Sequence, residues 1–141
     1  MNTRNIALDY LRKARARALA LDVLYGEGSF DDVVREAQEI VELVLKGALR
    51  WVGVDPPKAH EVSKTLKAQI DLFPAFWKKE IETILGASVT LFEERGHAFY
   101  GDEGALIPPS GLFDRADADG ARGAARDILA LYVRLIEGRE E

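Results

Sequence analysis

Between Val33 and Val52 the apolar residues fall at Val33, Val34, Ala37, Ile40, Val41, Val44, Leu45, Ala48, Leu49 and Val52. That is an unbroken three-and-four spacing, which puts them all on one wide stripe of an α-helix and on no single face of a strand. A helix so patterned must be covered along its whole length by other helices. Opposite the stripe, Glu42 and Lys46 stand four residues apart in the favourable order.

The rest of the chain supplies the covering. A first helix is expected from about Thr3 to Leu24, stopped by Gly26 and Gly28, with Ser29 or Asp31 capping the second. Pro56 and Pro57 bar a helix through GVDPPK. A short third helix follows over roughly residues 59–70, with Val62, Leu66 and Ile70 inward. A fourth is expected from Pro74 to about Tyr100, carrying Trp77, Ile81, Ile84, Leu85, Leu91 and Phe92 toward the core. After the irregular GDEGALIPPSG, a fifth begins past Asp114 or Asp117 and ends at Gly138. Gly120 and Gly123 either weaken its first turns or admit a close backbone. No segment alternates like a strand. The fold class is therefore all-α: an antiparallel up-and-down bundle of about five helices, with residues 1–141 forming one domain.

Composition narrows the function. The chain has no cysteine, which excludes disulfides, thiolate metal sites and a thiol nucleophile. No run approaches the length of a membrane span, and charged residues interrupt the N-terminal segment, so a cytoplasmic protein without membrane association is expected. A net charge of −5 argues against coating nucleic acid by charge alone. One local basic patch remains in Arg4, Arg12, Lys13, Arg15 and Arg17, which either serves a ligand or pairs with acidic neighbours. There is no phosphate-binding glycine loop, and two well-separated histidines make no zinc site. DRADADG, residues 114–120, lacks the terminal glutamate of a calcium loop, so its acids are assigned to the positive end of the fifth helix. Neither a metal nor a cofactor is expected.

The most reactive-looking stretch is LFEERGHAFYGDE, residues 91–103. At about 100° per residue, Arg95 continues the inner face of Ile84, Leu85, Ser88, Leu91 and Phe92, as does Phe99, while His97 projects outward with Glu93 and Thr90. An arginine on an inner face needs an explanation. It snorkels past the helix end, pairs with Asp102, Glu103 or a carboxylate elsewhere, or faces a cleft and holds a phosphate. His60, after PPKA, is placed at the start of the third helix, where it packs, caps or bonds a neighbouring helix.

Several stretches together resemble the HEPN domain family (higher eukaryotes and prokaryotes nucleotide-binding). The opening run ALDYLRKARARALALDVLYGEGSF precedes a second helix with Ala37, Gln38, Glu39, Glu42 and Lys46. Pro57, Lys58 and His60 resemble the family's approach to helix three, and ERGHAFYGD its late fourth helix. The resemblance implies a bundle of about five helices, homodimers, and a minimal nucleotidyltransferase partner in toxin–antitoxin-type pairs. It also implies metal-independent ribonuclease activity where an arginine is followed after four to six residues by a histidine. In this chain Tyr100 stands where that histidine would fall and His97 comes too early. Catalytic candidates are therefore only Arg95 and His97. The resemblance makes Arg95, Tyr100, Asp102, Lys46 and His60 the candidate nucleotide- or RNA-binding residues. Three readings stand side by side: a nucleotide- or RNA-binding partner of a nucleotidyltransferase, a ribonuclease with a degenerate site, and a non-catalytic helical interaction module.

Overall fold

A computed structural model describes residues 3–138. Four long helices carry the architecture: α1 (Thr3–Gly26), α2 (Phe30–Trp51), α5 (Ile81–Tyr100) and α6 (Arg115–Glu137). Two short helices, α3 (Ser63–Ala68) and α4 (Ala75–Lys79), and two 3₁₀ turns fill the connections. No strand occurs among the described residues; an isolated antiparallel bridge joins Asp102 to Ile107. The chain is an all-α helical bundle.

α2 is the axis on which the others pack. It lies against α1, α5 and α6, whereas α5 and α6 touch each other only lightly. Its apolar stripe is buried from Val33 to Leu49, with Val52 half-buried at the end. Removing that much aliphatic surface from water is the main drive for assembly, at about 1.5–3 kcal/mol for each fully buried large side chain. α1 contributes a narrower seam of Ala7, Leu11, Ala14 and Leu21, and its small residues let the two helices approach closely. Across the interior, the Tyr132 hydroxyl of α6 donates to the carbonyl of Ala7 at 2.5 Å. Ser29 caps α2 by position and donates from its Oγ to Asp32 Oδ2 at 2.6 Å.

Three sequence expectations change. The third helix begins at Ser63, not Ala59, because Glu61 folds back to accept from the Ser63 amide and hydroxyl at 2.9 and 2.7 Å. His60 thus lies in the loop before the helix. The single fourth helix is two, broken at Glu80. Trp77 is fully buried and stacks on Phe73 with ring centroids 5.0 Å apart, so this short segment turns inward before α5 sets off. Among the described residues there are thus six α-helices, two of them short, in the bundle of about five that was expected. On α5 the inward face is Ile84, Ser88, Leu91 and Ala98, with Arg95 partly buried. Phe92 and Phe99, expected inward, are 38% and 55% exposed.

α5 ends at Gly101, whose φ of +77° is open to glycine, and where a Cβ would also fall 2.9 Å from the Pro108 carbonyl carbon. The chain then doubles back in a tight turn. Paired hydrogen bonds of 2.9 Å between Asp102 and Ile107 close it, and the Asp102 carboxylate accepts from the Ala105 amide.

Candidate polar site between α1, α2 and α5

The polar edge of α2 faces α5 on one side and α1 on the other. Arg35, Glu39, Glu42 and Lys46 recur every three or four positions, with Gln38 adjoining Glu39, so they form one continuous ridge. Gln38 is the unusual member, a polar side chain only 3% exposed within the apolar stripe. Its amide is satisfied at both ends. Oε1 accepts from Arg95 Nε at 3.1 Å, and Nε2 donates to Glu42 Oε1 at 3.0 Å.

From there the network extends both ways. Arg95 Nη2 approaches Glu39 Oε1 at 3.5 Å, and Arg35 Nε donates to the same oxygen at 3.2 Å. Arg35 also donates from Nη1 to the Arg95 carbonyl at 3.2 Å, and its guanidinium lies 5.1 Å from the centre of the Phe99 ring. At the other end, Lys46 Nζ donates to Glu42 Oε2 at 3.1 Å, and His60 Nδ1 stands 3.1 Å from Glu42 Oε1. Burial alone would raise the Glu42 carboxyl, but hydrogen bonds from Gln38, Lys46 and His60 outweigh it and hold the pKa below the ordinary value.

α1 forms the far wall. Tyr10, Lys13 and Arg17 line a groove of about 230 Å³ with Glu39, Glu42 and Lys46. Arg17 Nη1 pairs with Glu36 at 3.1 Å. Groove and network together hold five permanent cations, Lys13, Arg17, Arg35, Lys46 and Arg95, against three carboxylates, Glu36, Glu39 and Glu42. In a chain of net charge −5, this is a locally positive face, suited to an anion with several oxygens.

The residues singled out from sequence divide into three groups. Arg95, Lys46 and His60 meet through Gln38 and Glu42, although 49 residues separate Arg95 from Lys46 in the chain. Tyr100 and Asp102 lie at the end of α5: Tyr100 is 64% exposed with its ring 4.8 Å from Phe99, and Asp102 braces the turn. His97 is exposed. α5 runs unbroken through Gly96 to Tyr100, so two residues at about 100° each hold His97 well away from the Arg95 side. The unwinding that would bring both into one cleft is not present.

Of the explanations for Arg95, the one seen is pairing, to Glu39 and the Gln38 amide rather than to Asp102 or Glu103. The N-terminal basic patch is divided, with Lys13 and Arg17 lining the groove and the other cations whose partners are seen turned to different ones. Arg12 pairs with Asp9 on its own helix, Arg17 with Glu36, and Arg4 lies 4.2 Å from the Trp51 ring centre. Arg35 escaped the sequence reading because its partner Arg95 is 60 residues away. The available signal was Gln38, an amide inside an apolar stripe.

A HEPN domain family model matches residues 7–136 of this chain. The chain belongs to the HEPN domain family. No curated protein and no solved structure gives a significant match. Family membership places the function among nucleotide- and RNA-related activities, and no helix among the described residues of this HEPN protein is long and apolar enough to cross a membrane.

Proposed function

We propose that this HEPN protein binds the phosphates of a nucleotide or single-stranded RNA along the face between α1, α2 and α5, acting as a cytoplasmic homodimer with a minimal nucleotidyltransferase in a toxin–antitoxin-type pair. The observation that carries the binding reading is the excess of cations there within an acidic protein. Arg95 is the central group. Gln38 and Glu39 orient its guanidinium, and its side chain keeps 21% exposure, enough to present an edge to a phosphate. Phe99, whose ring lies against Arg35, and Tyr100 next to it offer exposed rings for a base to stack on. Lys46 and His60 share Glu42 at the other end of the ridge.

The test is fluorescence anisotropy of a labelled single-stranded RNA with wild type, Arg95→Ala and Lys13→Ala/Arg17→Ala, across a salt series. Each cation that meets a phosphate should reduce the slope of log affinity against log salt by about 0.7 when removed. Affinity lost in folded Arg95→Ala supports the assignment. Unchanged binding per folded molecule makes Arg95 structural. The same samples run on a denaturing gel report cleavage, and cleavage abolished by both His97→Ala and Arg95→Ala would favour a ribonuclease.

A second reading is favoured by one contact. Because Arg95 already bonds Gln38 and Glu39, the ridge also suits a non-catalytic interaction module in which these side chains only fasten α5 to α2. RNA binding that resists every one of these substitutions would select it.

A further inference from the structure

α1 is apolar on two sides. Ala7, Leu11, Ala14 and Leu21 face the bundle. Leu8, Arg12, Arg15, Leu19 and Val23 follow one another at spacings of four, three, four and four, and all are exposed. At about 100° per residue these five share one outward face. Leu19 is 70% exposed, Val23 64% and Leu8 45%. A helix with aliphatic residues on opposite sides is ordinarily covered on both; here one side is bare. Ala16 and Ala20, also exposed, adjoin Leu19 and Val23, so the aliphatic surface is continuous from Ala16 to Val23 and not a scatter of single residues.

Cations border the same face. Arg12 and Arg15 stand on it, and Lys13 and Arg17 run along its edge toward α2. The salt bridges among the described residues set Asp9 against Arg12 at 2.9 Å and Glu36 against Arg17 at 3.1 Å, so four cations meet two carboxylates. An open groove of about 420 Å³ follows that edge, lined by Arg12, Lys13, Ala16, Arg17, Ala20 and Glu36. Aliphatic anchors and an excess of positive charge thus lie within about 22 Å of one helix, in a chain of net charge −5.

Charge and chemistry narrow what can cover this face. A nucleic-acid strand is held by rings on which its bases stack, and Leu8, Leu19 and Val23 offer none. A second copy would bring like charges together, because the four cations lie near the middle of the stretch from Leu8 to Val23. An anionic lipid surface would attract those cations while repelling the acidic molecule as a whole. We infer that this face of α1 receives an acidic amphipathic helix of a partner protein, with its aliphatic residues seated on Leu8, Leu19 and Val23 and its carboxylates against Arg12, Lys13, Arg15 and Arg17. A helix of about 15 residues spans the face. Lys13 and Arg17 also line the groove with Glu39, Glu42 and Lys46, so a docked helix closes one edge of the groove assigned to phosphates. The docking itself needs no RNA.

The experiment is fluorescence anisotropy of a labelled helical peptide of about 18 residues, designed with a leucine stripe flanked by glutamates and titrated with the full chain without RNA. A second peptide carries lysine at every glutamate position. The glutamate peptide is expected to bind saturably and the lysine peptide not to bind. Leu19→Asp/Val23→Asp and Arg12→Glu/Arg15→Glu should each weaken binding by about tenfold or more, with circular dichroism as the fold check. Leu106→Asp, at an exposed site in the turn after α5, should leave binding unchanged. Equal binding of both peptides, no binding of either, or a glutamate peptide indifferent to both double variants would overturn the assignment. So would light scattering in which Leu19→Asp/Val23→Asp dissociates an oligomer, which makes the face a contact between copies. Binding to phosphatidylglycerol vesicles that is lost in the same variant would overturn it in favour of a lipid surface. RNA binding can fail while the peptide still docks, and the reverse, so the two proposals fall separately.

Discussion

At Glu42, burial opposes ionisation while Gln38, Lys46 and His60 favour it, and the hydrogen bonds prevail. A folded pKa below the unfolded one means stabilisation that is complete above the ordinary value of 4.5 and fades as pH falls through the folded value. Glu42→Gln should therefore lower stability at pH 7 by about 1 kcal/mol, and urea titrations should show the gap closing in acid. Glu94 behaves in the opposite sense. Burial raises its pKa first, and the charges of Asp117 and Glu93 add to it. Folding is penalised while Glu94 is ionised, so Glu94→Gln should be slightly stabilising near neutrality and neutral in acid, a contrast that the same titrations would expose.

Among the elements, glycines separate two kinds of helix position. A Cβ at Gly47, in the middle of α2, would stand 2.8 Å from Tyr132 Cζ and strike the phenol oxygen. Gly47→Ala should be destabilising, because overpacking of about 1–3 kcal/mol exceeds the gain of about 1 kcal/mol in helix propensity. Gly120 in α6 meets nothing within 4 Å, so it weakens the helix without admitting a neighbour. Gly120→Ala should raise the melting temperature where Gly47→Ala lowers it. The start of α6 depends on a capping box in which Asp114 Oδ1 accepts from the Asp117 amide at 2.9 Å, and Asp117 Oδ2 from the Asp114 amide at 3.0 Å. This is the role expected of the acids in DRADADG. Calorimetry of Asp114→Ala should show a loss of about 1 kcal/mol.

For the molecule as a whole, the uneven packing of the four long helices matters most. α5 leans on α2 and hardly on α6, and part of its contact with α2 is polar, through Arg95, Gln38, Glu39 and Arg35. Loss of Arg95 should loosen α5 selectively. Hydrogen exchange of Arg95→Ala should show faster exchange from Leu91 to Tyr100 while α1, α2 and α6 keep their protection. Uniform acceleration across all four helices would mean that the network supports the entire bundle. Tyr132, whose pKa burial pushes upward, binds α6 to α1 and does not involve α5, so Tyr132→Phe should accelerate exchange elsewhere.

Periodicity by itself determined that Val33 to Leu49 would be a buried helical stripe, that glycines and prolines would divide the chain, and that the chain would form a helical bundle. Those are local consequences of which side chains avoid water at a helical repeat. The motif order around Ala37–Lys46, Pro57–His60 and Arg95 was enough to identify the HEPN family. What local pattern did not decide was the rotation of α5. Two seams one residue apart fit almost equally well, and the choice that exposes Phe92 and Phe99 was made by packing against α2. Tertiary structure alone also chose a partner for Arg95, because Gln38 and Glu39 lie 57 and 56 residues from it. Burying a guanidinium is tolerated only where such acceptors converge, and convergence of distant residues is a property of the folded chain.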